Sequence, residues 1–475
     1  EGRIVNQSIY GPQNKRLQHS YYSWDVNAQL KSVFNGLTNG EIEYGYDAIG
    51  SLASAKYEDG SMDYKLPDSL GNIFRDKYRK TRVYGPGGKL LKDQNWQYIY
   101  DKQGNLTFKT KSQRYGANPQ AAKEPNRYAL RGPTIRISSD AEYIKDVKSL
   151  THQWQYGDWE YQWAGNGMLR EIRRPDGSCI SYTYDALGRR TAKINHTSQK
   201  IDRYIWDGNV LLHEWQYKLS ERPQAVADKF GRLSLDRAEP VGPALISWIY
   251  EEGSPVPSAK LQGDRRYSII SDYLDRPIQA YDEQGMLLWS ADYSIYGELR
   301  NLQGESNFIP FRQPGQYADP ESELYYNRFR YYDPAIGGYI SQDPIGLAGN
   351  NPTLYAYVHD SNSWVDVFGL AEHITFSSES LHPNAQGIYT IKATGYHYTD
   401  KVALYEAAKL KEGFDSSKWI SHHVSYDPKT NDMKMQLASL EAHKKSHIGG
   451  VNDFENHHGV KYNTDSASKV AKGCH

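Results

Sequence analysis

His422, His423, His443 and His447 crowd one stretch of this sequence, together with Gln436 and the cations Lys434, Lys444 and Lys445. Imidazole changes charge near neutral pH, and its neutral form is a common metal ligand. His443 and His447 are four apart, so on a helix their rings project from one face about one turn apart, a usual way to hold one divalent metal. A third ligand must come from elsewhere. His422 and His423 are adjacent, so on a strand they face opposite ways unless a bulge or twist turns both toward the site. With that distortion, one ring can ligate the metal while its neighbour reaches a water.

The elements that must position these groups read as strand, turn, strand, helix. Residues alternate from Trp419 to Tyr426, breakers follow at Asp427-Pro428 and Asn431-Asp432, and alternation resumes over Met433 to Leu437. A helix capped by Ser439 and stopped at Gly449 completes the set. Composition changes around this stretch: residues 371–475 hold 10 of the 15 histidines, no Arg and only 6 of the 40 Tyr. A boundary after Leu370 follows. In that segment 12 Lys balance 12 Asp plus Glu, so nucleic-acid binding there has to be local, through cations such as Lys434, Lys444 and Lys445. His457 and His458 read as surface residues or as a phosphate contact.

Ser421-His422-His423, Met435-Gln436-Leu437 and His443 with His447-Ile-Gly449-Gly450 resemble the ββα-metal (HNH and endonuclease VII) superfamily, in its SHH toxin branch. The resemblance covers roughly residues 400 to 450 and implies a small α+β domain. It implies His423 as general base, His422, His443 and His447 as metal ligands, and Gln436 as a positioning residue. It also implies a divalent cofactor (Mg, Mn, Zn or Ni) and a nucleic-acid substrate, DNA first and RNA as the alternative.

The rest of the chain is of another kind. Its 475 residues include 40 Tyr and 40 Gly, with 13% aromatics, 5 Met and 2 Cys, usage that fits a large β-rich protein. A net charge of −1 gives no global field toward nucleic acid or acidic membranes. Cys179 and Cys474 form no CxxC pair, and no run of 18 apolar residues could span a bilayer. The start, without Met or leader, reads as that of a processed or excised fragment.

To about residue 300 a unit of Tyr-x-(Tyr/Trp)-Asp followed by Gly or Asn recurs, as at Tyr22 to Asp25, Tyr44 to Gly50, Tyr98 to Gly104 and Tyr182 to Gly188. Alternating aromatics mark one strand face, Asp opens a turn and Gly supplies positive φ, so each unit is a hairpin that must stack on its neighbours. These units resemble the YD repeats of the Rhs family. The stretches Pro314 to Tyr317, Glu323 to Pro334, Asp343 to Leu347 and Tyr355 to Tyr357 resemble its associated core.

That resemblance implies a mainly β chain in which a YD-repeat spiral (1–313) forms a hollow shell, an associated core (314–370) acts as an autoproteolytic aspartyl protease, and 371–475 is a C-terminal toxin. Asp343 and Asp366 are the implied acid–base pair, cutting between Leu370 and Ala371. Val367 stands where the family has Pro, Ser361 replaces another Pro, and Gly338 replaces Arg. The implied partners are an acidic cognate immunity protein and secretion spike or chaperone proteins, with type VI or related export and action in the target-cell cytoplasm. A non-catalytic adhesive shell is the alternative from another class.

Overall fold

The computed structural model describes residues 3–11, 14–27, 29–48, 50–111, 152–242, 245–252, 254–346, 353–370, 385, 388–410, 418–427, 430–439, 451, 454–455, 458 and 460–472. The chain forms two compact units, residues 1–347 with 351–370, and residues 348–350 with 371–475. Among the described residues, no helix is long and apolar enough to cross a membrane.

The first unit is built from antiparallel hairpins in sequence order. Six strands from Asn6–Tyr10 to Met62–Tyr64 make one sheet, and sixteen from Val83–Gly85 to Leu299–Gln303 make another. Each repeat's aspartate organises its turn: Asp185 Oδ1 accepts from Leu187 N at 2.9 Å and Arg189 N at 2.8 Å, while Gly188 takes a φ of 75°. The preceding aromatic ties its hairpin to the one before. Tyr46 donates to Leu30 O at 3.0 Å, Tyr184 to Leu169 O at 2.7 Å and Tyr293 to Pro277 O at 2.6 Å. The tyrosine-rich repeat is thus a hydrogen-bonded stitch as well as an apolar face.

Residues 314–346 and 353–370 pack as part of this unit. A four-stranded sheet from Tyr317–Asp319 to Gly338–Tyr339 sends Leu324, Tyr326 and Tyr331, with Ile336 and Ile340 from the segments beside its last strand, into the core that Leu90, Tyr98, Leu106, Trp159, Ile172 and Ile180 form from the hairpins. Asp319, fully buried, holds the two layers together: Arg190 Nη1 lies 3.4 Å away, Lys193 Nζ 3.3 Å, and Tyr182 donates at 3.1 Å. Burial pushes the Asp319 carboxyl up, but Lys193 and Arg190 outweigh it and hold the group low.

The second unit has its own core of Leu404, Met433, Met435, Leu437, Phe454 and Ala467. The expected hairpin is present as Trp419–Asp427 and Asp432–Ser439, joined through Asn431 at a φ of 57°. Asp432–Ser439 is the central strand, because Tyr389–Lys392 pairs on its other side. Helix His397–Ala407 packs on this sheet, and helix Asp465–Ala471 is capped by Thr464, which accepts from Ala467 N. Strand Tyr389–Lys392 and helix Asp465–Ala471 lie in flanks where the sequence shows no motif, and helix His397–Ala407 overlaps the start of the stretch that carries the resemblance. The expected helix between Ser439 and Gly449 lies outside the described residues.

Candidate functional site

Hairpin register decides where the histidines point. His422 pairs with Gln436 and His423 with Met435 as consecutive rungs, and the irregularity falls only between His423 and Ser425. A bulge after His423 does not turn the pair to one side, so the two imidazoles occupy opposite faces. This corrects the expectation that His422 ligates a metal beside a water activated by His423. Gln436 lies opposite His422, so a positioning role for it falls on the His422 face, which also carries the exposed Lys434. His443, His447, Lys444, Lys445, His457 and Ala371 lie outside the described residues. His458 accompanies Tyr426, its Nε2 2.9 Å from the phenol oxygen.

The His423 ring meets a polar cluster instead. Its Nε2 lies 2.9 Å from Asp400 Oδ2, and the same oxygen accepts from Tyr462 at 2.5 Å. Asp400 Oδ1 accepts from Thr394 N at 3.0 Å and Thr394 Oγ1 at 2.6 Å. Burial pushes the Asp400 carboxyl up, yet hydrogen bonds from His423, Thr394 and Tyr462 hold it below the ordinary carboxylate range. Exposed His397 stands edge-on to His423 with ring centroids 5.2 Å apart. Its pKa is lowered by burial and then by His423.

This arrangement gives a buried imidazole with a carboxylate partner, as in many sites that move protons. It does not give a metal cage. Among the described residues no three His, Cys, Asp or Glu side chains are placed to hold a metal ion. Both Asp400 oxygens already accept from protein donors. Asp400, Tyr462 and His397 escaped the sequence reading. The only signal for Asp400 and His397 is the run Gly395-Tyr-His397-Tyr-Thr-Asp400, where a carboxylate three residues after a histidine opens a helix, and Tyr462 has none.

A second constellation sits in the first unit, where the core segment converges as expected. Arg330 Nη2 lies 3.0 Å from Asp343 Oδ2 and 3.2 Å from Asp366 Oδ2, so both carboxylates meet at one guanidinium nitrogen. Tyr339 donates to Asp366 Oδ2 at 2.7 Å, and Leu370 N donates to Oδ1 at 2.9 Å. Arg330 Nε also donates to Gly369 O, and Asn327 Nδ2 to Asp366 O at 2.8 Å. Burial raises the Asp366 pKa to about 6 against the opposing pull of Arg330 and the donors, with Asp343 adding to the rise. Arg330 and Tyr339 were not assigned roles from sequence.

Two of the family departures, Gly338 and Ser361, have local reasons. A Cβ at Gly338 would come 2.9 Å from Tyr355 O, and Ser361 Oγ donates to Ile295 O at 3.0 Å. Val367 O lies 2.1 Å from where a Cβ of Gly315 would be, so the segment before the expected cleavage point is threaded against glycine.

Antiparallel hairpins locked by aspartate turns and stitched by tyrosines define a YD-repeat β-shell protein. The family model described as the teneurin YD-shell matches residues 75–357, and the chain belongs to that family. Among curated proteins it is 28% identical over 450 residues to double-stranded DNA deaminase toxin A of Burkholderia cenocepacia, covering 87% of this chain and 28% of the relative. It is 37% identical over 357 residues to toxin protein Tse5 of Pseudomonas aeruginosa, covering 71% and 26%. It is 29% identical over 336 residues to the probable deoxyribonuclease RhsA of Dickeya dadantii, covering 70% and 21%. The chain therefore spans between about a fifth and just over a quarter of these relatives' own length.

Proposed function

We propose that this chain is the shell and toxin end of an Rhs-type antibacterial effector, whose 371–475 unit is cut free after Leu370 and hydrolyses phosphodiester bonds in target-cell DNA. The observation that carries this reading is the buried His423–Asp400 pair, a proton acceptor with a fixed partner, in a chain related to toxins that include a probable deoxyribonuclease. A deaminase reading fits less well. Zinc deaminases use a His-x-Glu element and a Pro-Cys-x-x-Cys pair, and residues 371–475 contain only Cys474.

In the proposed reaction His423 takes a proton from water, the oxygen bonds to phosphorus in line with the leaving group, and the bond to the 3′ oxygen breaks with a solvent proton going to that oxygen. Lys434, Lys444 and Lys445 would contact flanking phosphates. A divalent cation would neutralise phosphate charge, with His443 and His447 as the residues that would hold it, since His422 lies on the face opposite His423.

Release would use the other site. Asp343, ion-paired with Arg330, takes a proton from water, the oxygen attacks the Leu370 carbonyl carbon, and Asp366 supplies the proton to the Ala371 nitrogen as the peptide bond breaks. Before delivery, by type VI or related secretion through spike or chaperone partners, the shell would enclose the toxin and an acidic immunity protein would protect the producer. Incubating the 371–475 unit, which has its own core, with plasmid and with total RNA across a chelator titration tests the reading. Nicked and linearised plasmid is expected, with metal restoring chelated activity. Digestion of RNA alone, or of neither, contradicts it.

A further inference from the structure

Asp400 has no place in the reaction as written above, yet its geometry constrains it. The carboxylate is 0% exposed and takes four hydrogen bonds, from Thr394 N and Oγ1 on one oxygen and from Tyr462 and His423 on the other. An ionised carboxylate only accepts hydrogen bonds. Tyr462 has a single hydroxyl proton, directed at Asp400, and burial with the Asp400 charge raises its pKa, so it stays a donor. His423 Nε2 must therefore carry its proton toward Asp400. In the neutral imidazole the lone pair then lies on Nδ1, the other ring nitrogen.

The geometry points to Asp400 as the positioning residue of this site, fixing His423 as the Nε2–H tautomer so that the base works through Nδ1. The inference rests on the reading of His423 as general base. Asp400 acts through His423, with two effects: it holds the ring in one tautomer and orientation, and it stabilises the imidazolium formed once Nδ1 has taken a proton from water. Thr394 and Tyr462 in turn hold Asp400, from the loop before the helix and from the C-terminal segment. His397, beside the same ring and exposed, lies on the solvent side of this relay.

The test compares D400N, Y462F and H423A in the 371–475 unit by plasmid cleavage, with histidine-selective 15N NMR of the parent. The parent spectrum is expected to show His423 Nε2 protonated and Nδ1 unprotonated near neutral pH. D400N should lower the turnover of plasmid by about 10²- to 10⁴-fold with KM little changed, by loss of the correct tautomer. Y462F, which keeps the carboxylate, should lose about tenfold or less. A parent spectrum with the proton on Nδ1 overturns the inference even if D400N does not fold, and so does a folded D400N that cleaves at the parental rate while H423A is inactive. H423A cleaving like the parent defeats instead the reading of His423 as base.

Discussion

Asp366 and Asp343 meet at a single nitrogen of Arg330, and burial raises the Asp366 pKa to about 6. An acid that holds its proton up to that pH can serve as the proton donor in peptide cleavage, with the ion-paired Asp343 as its counterpart. Cleavage after Leu370 is accordingly expected to slow as pH rises through about 6, followed by gel electrophoresis of freshly refolded chain. D343N and D366N should each leave the chain uncut. The same shift has a stability consequence of fixed sign. Because the folded state binds this proton more tightly than the unfolded chain, the Asp366 contribution to stability is fully present below about pH 4 and is lost as pH rises to about 6, roughly 3 kcal/mol in all. Urea titrations of parent and D366N should differ by that slope.

Elements hold these groups through a few close approaches. Gly369 sits at a φ of 65° with Asn327 O 2.3 Å from where its Cβ would be, so G369A should lift the 366–370 segment off its sheet and cost about 1–3 kcal/mol, read as a fall in Tm and slower cleavage. Buried Asp319, which joins the core sheet to the hairpin wall, is the sharper test. D319A leaves buried Arg190 without its carboxylate, while Lys193 keeps Glu321 and Asp202, and should cost about 3–5 kcal/mol by denaturant unfolding. Much at this scale was legible beforehand. The aspartate turns, the stacked hairpins and the 419–439 hairpin follow from local signals, because turn chemistry and strand alternation are local, whereas the pairing of Asp343 with Asp366 is implied only by the family resemblance. Arg330, Tyr339, Asp400 and Tyr462 were not legible, since each acquires its role from contacts many residues away. Strand alternation already sets His422 and His423 on opposite faces; what it cannot reveal is where a bulge falls, and the one present lies after His423 and leaves that default in place.

Across the whole molecule, a YD-shell unit and a C-terminal unit with its own core meet in sequence at residue 370, where the Asp366 to Leu370 segment is hydrogen-bonded into the first unit. The proposed cut after Leu370 predicts two polypeptides from this 475-residue chain. Mass spectrometry of the denatured chain should therefore find fragments of residues 1–370 and 371–475, and D366N should give only the 54.3 kDa whole. What the container would hold is decided at His423. Plasmid cleavage by the parent 371–475 unit and by H423A, each checked for the same melting temperature, is the most direct measurement. A loss of at least about 100-fold in the variant is predicted; equal cleavage by both, or none by the parent, would contradict a nuclease built on that imidazole.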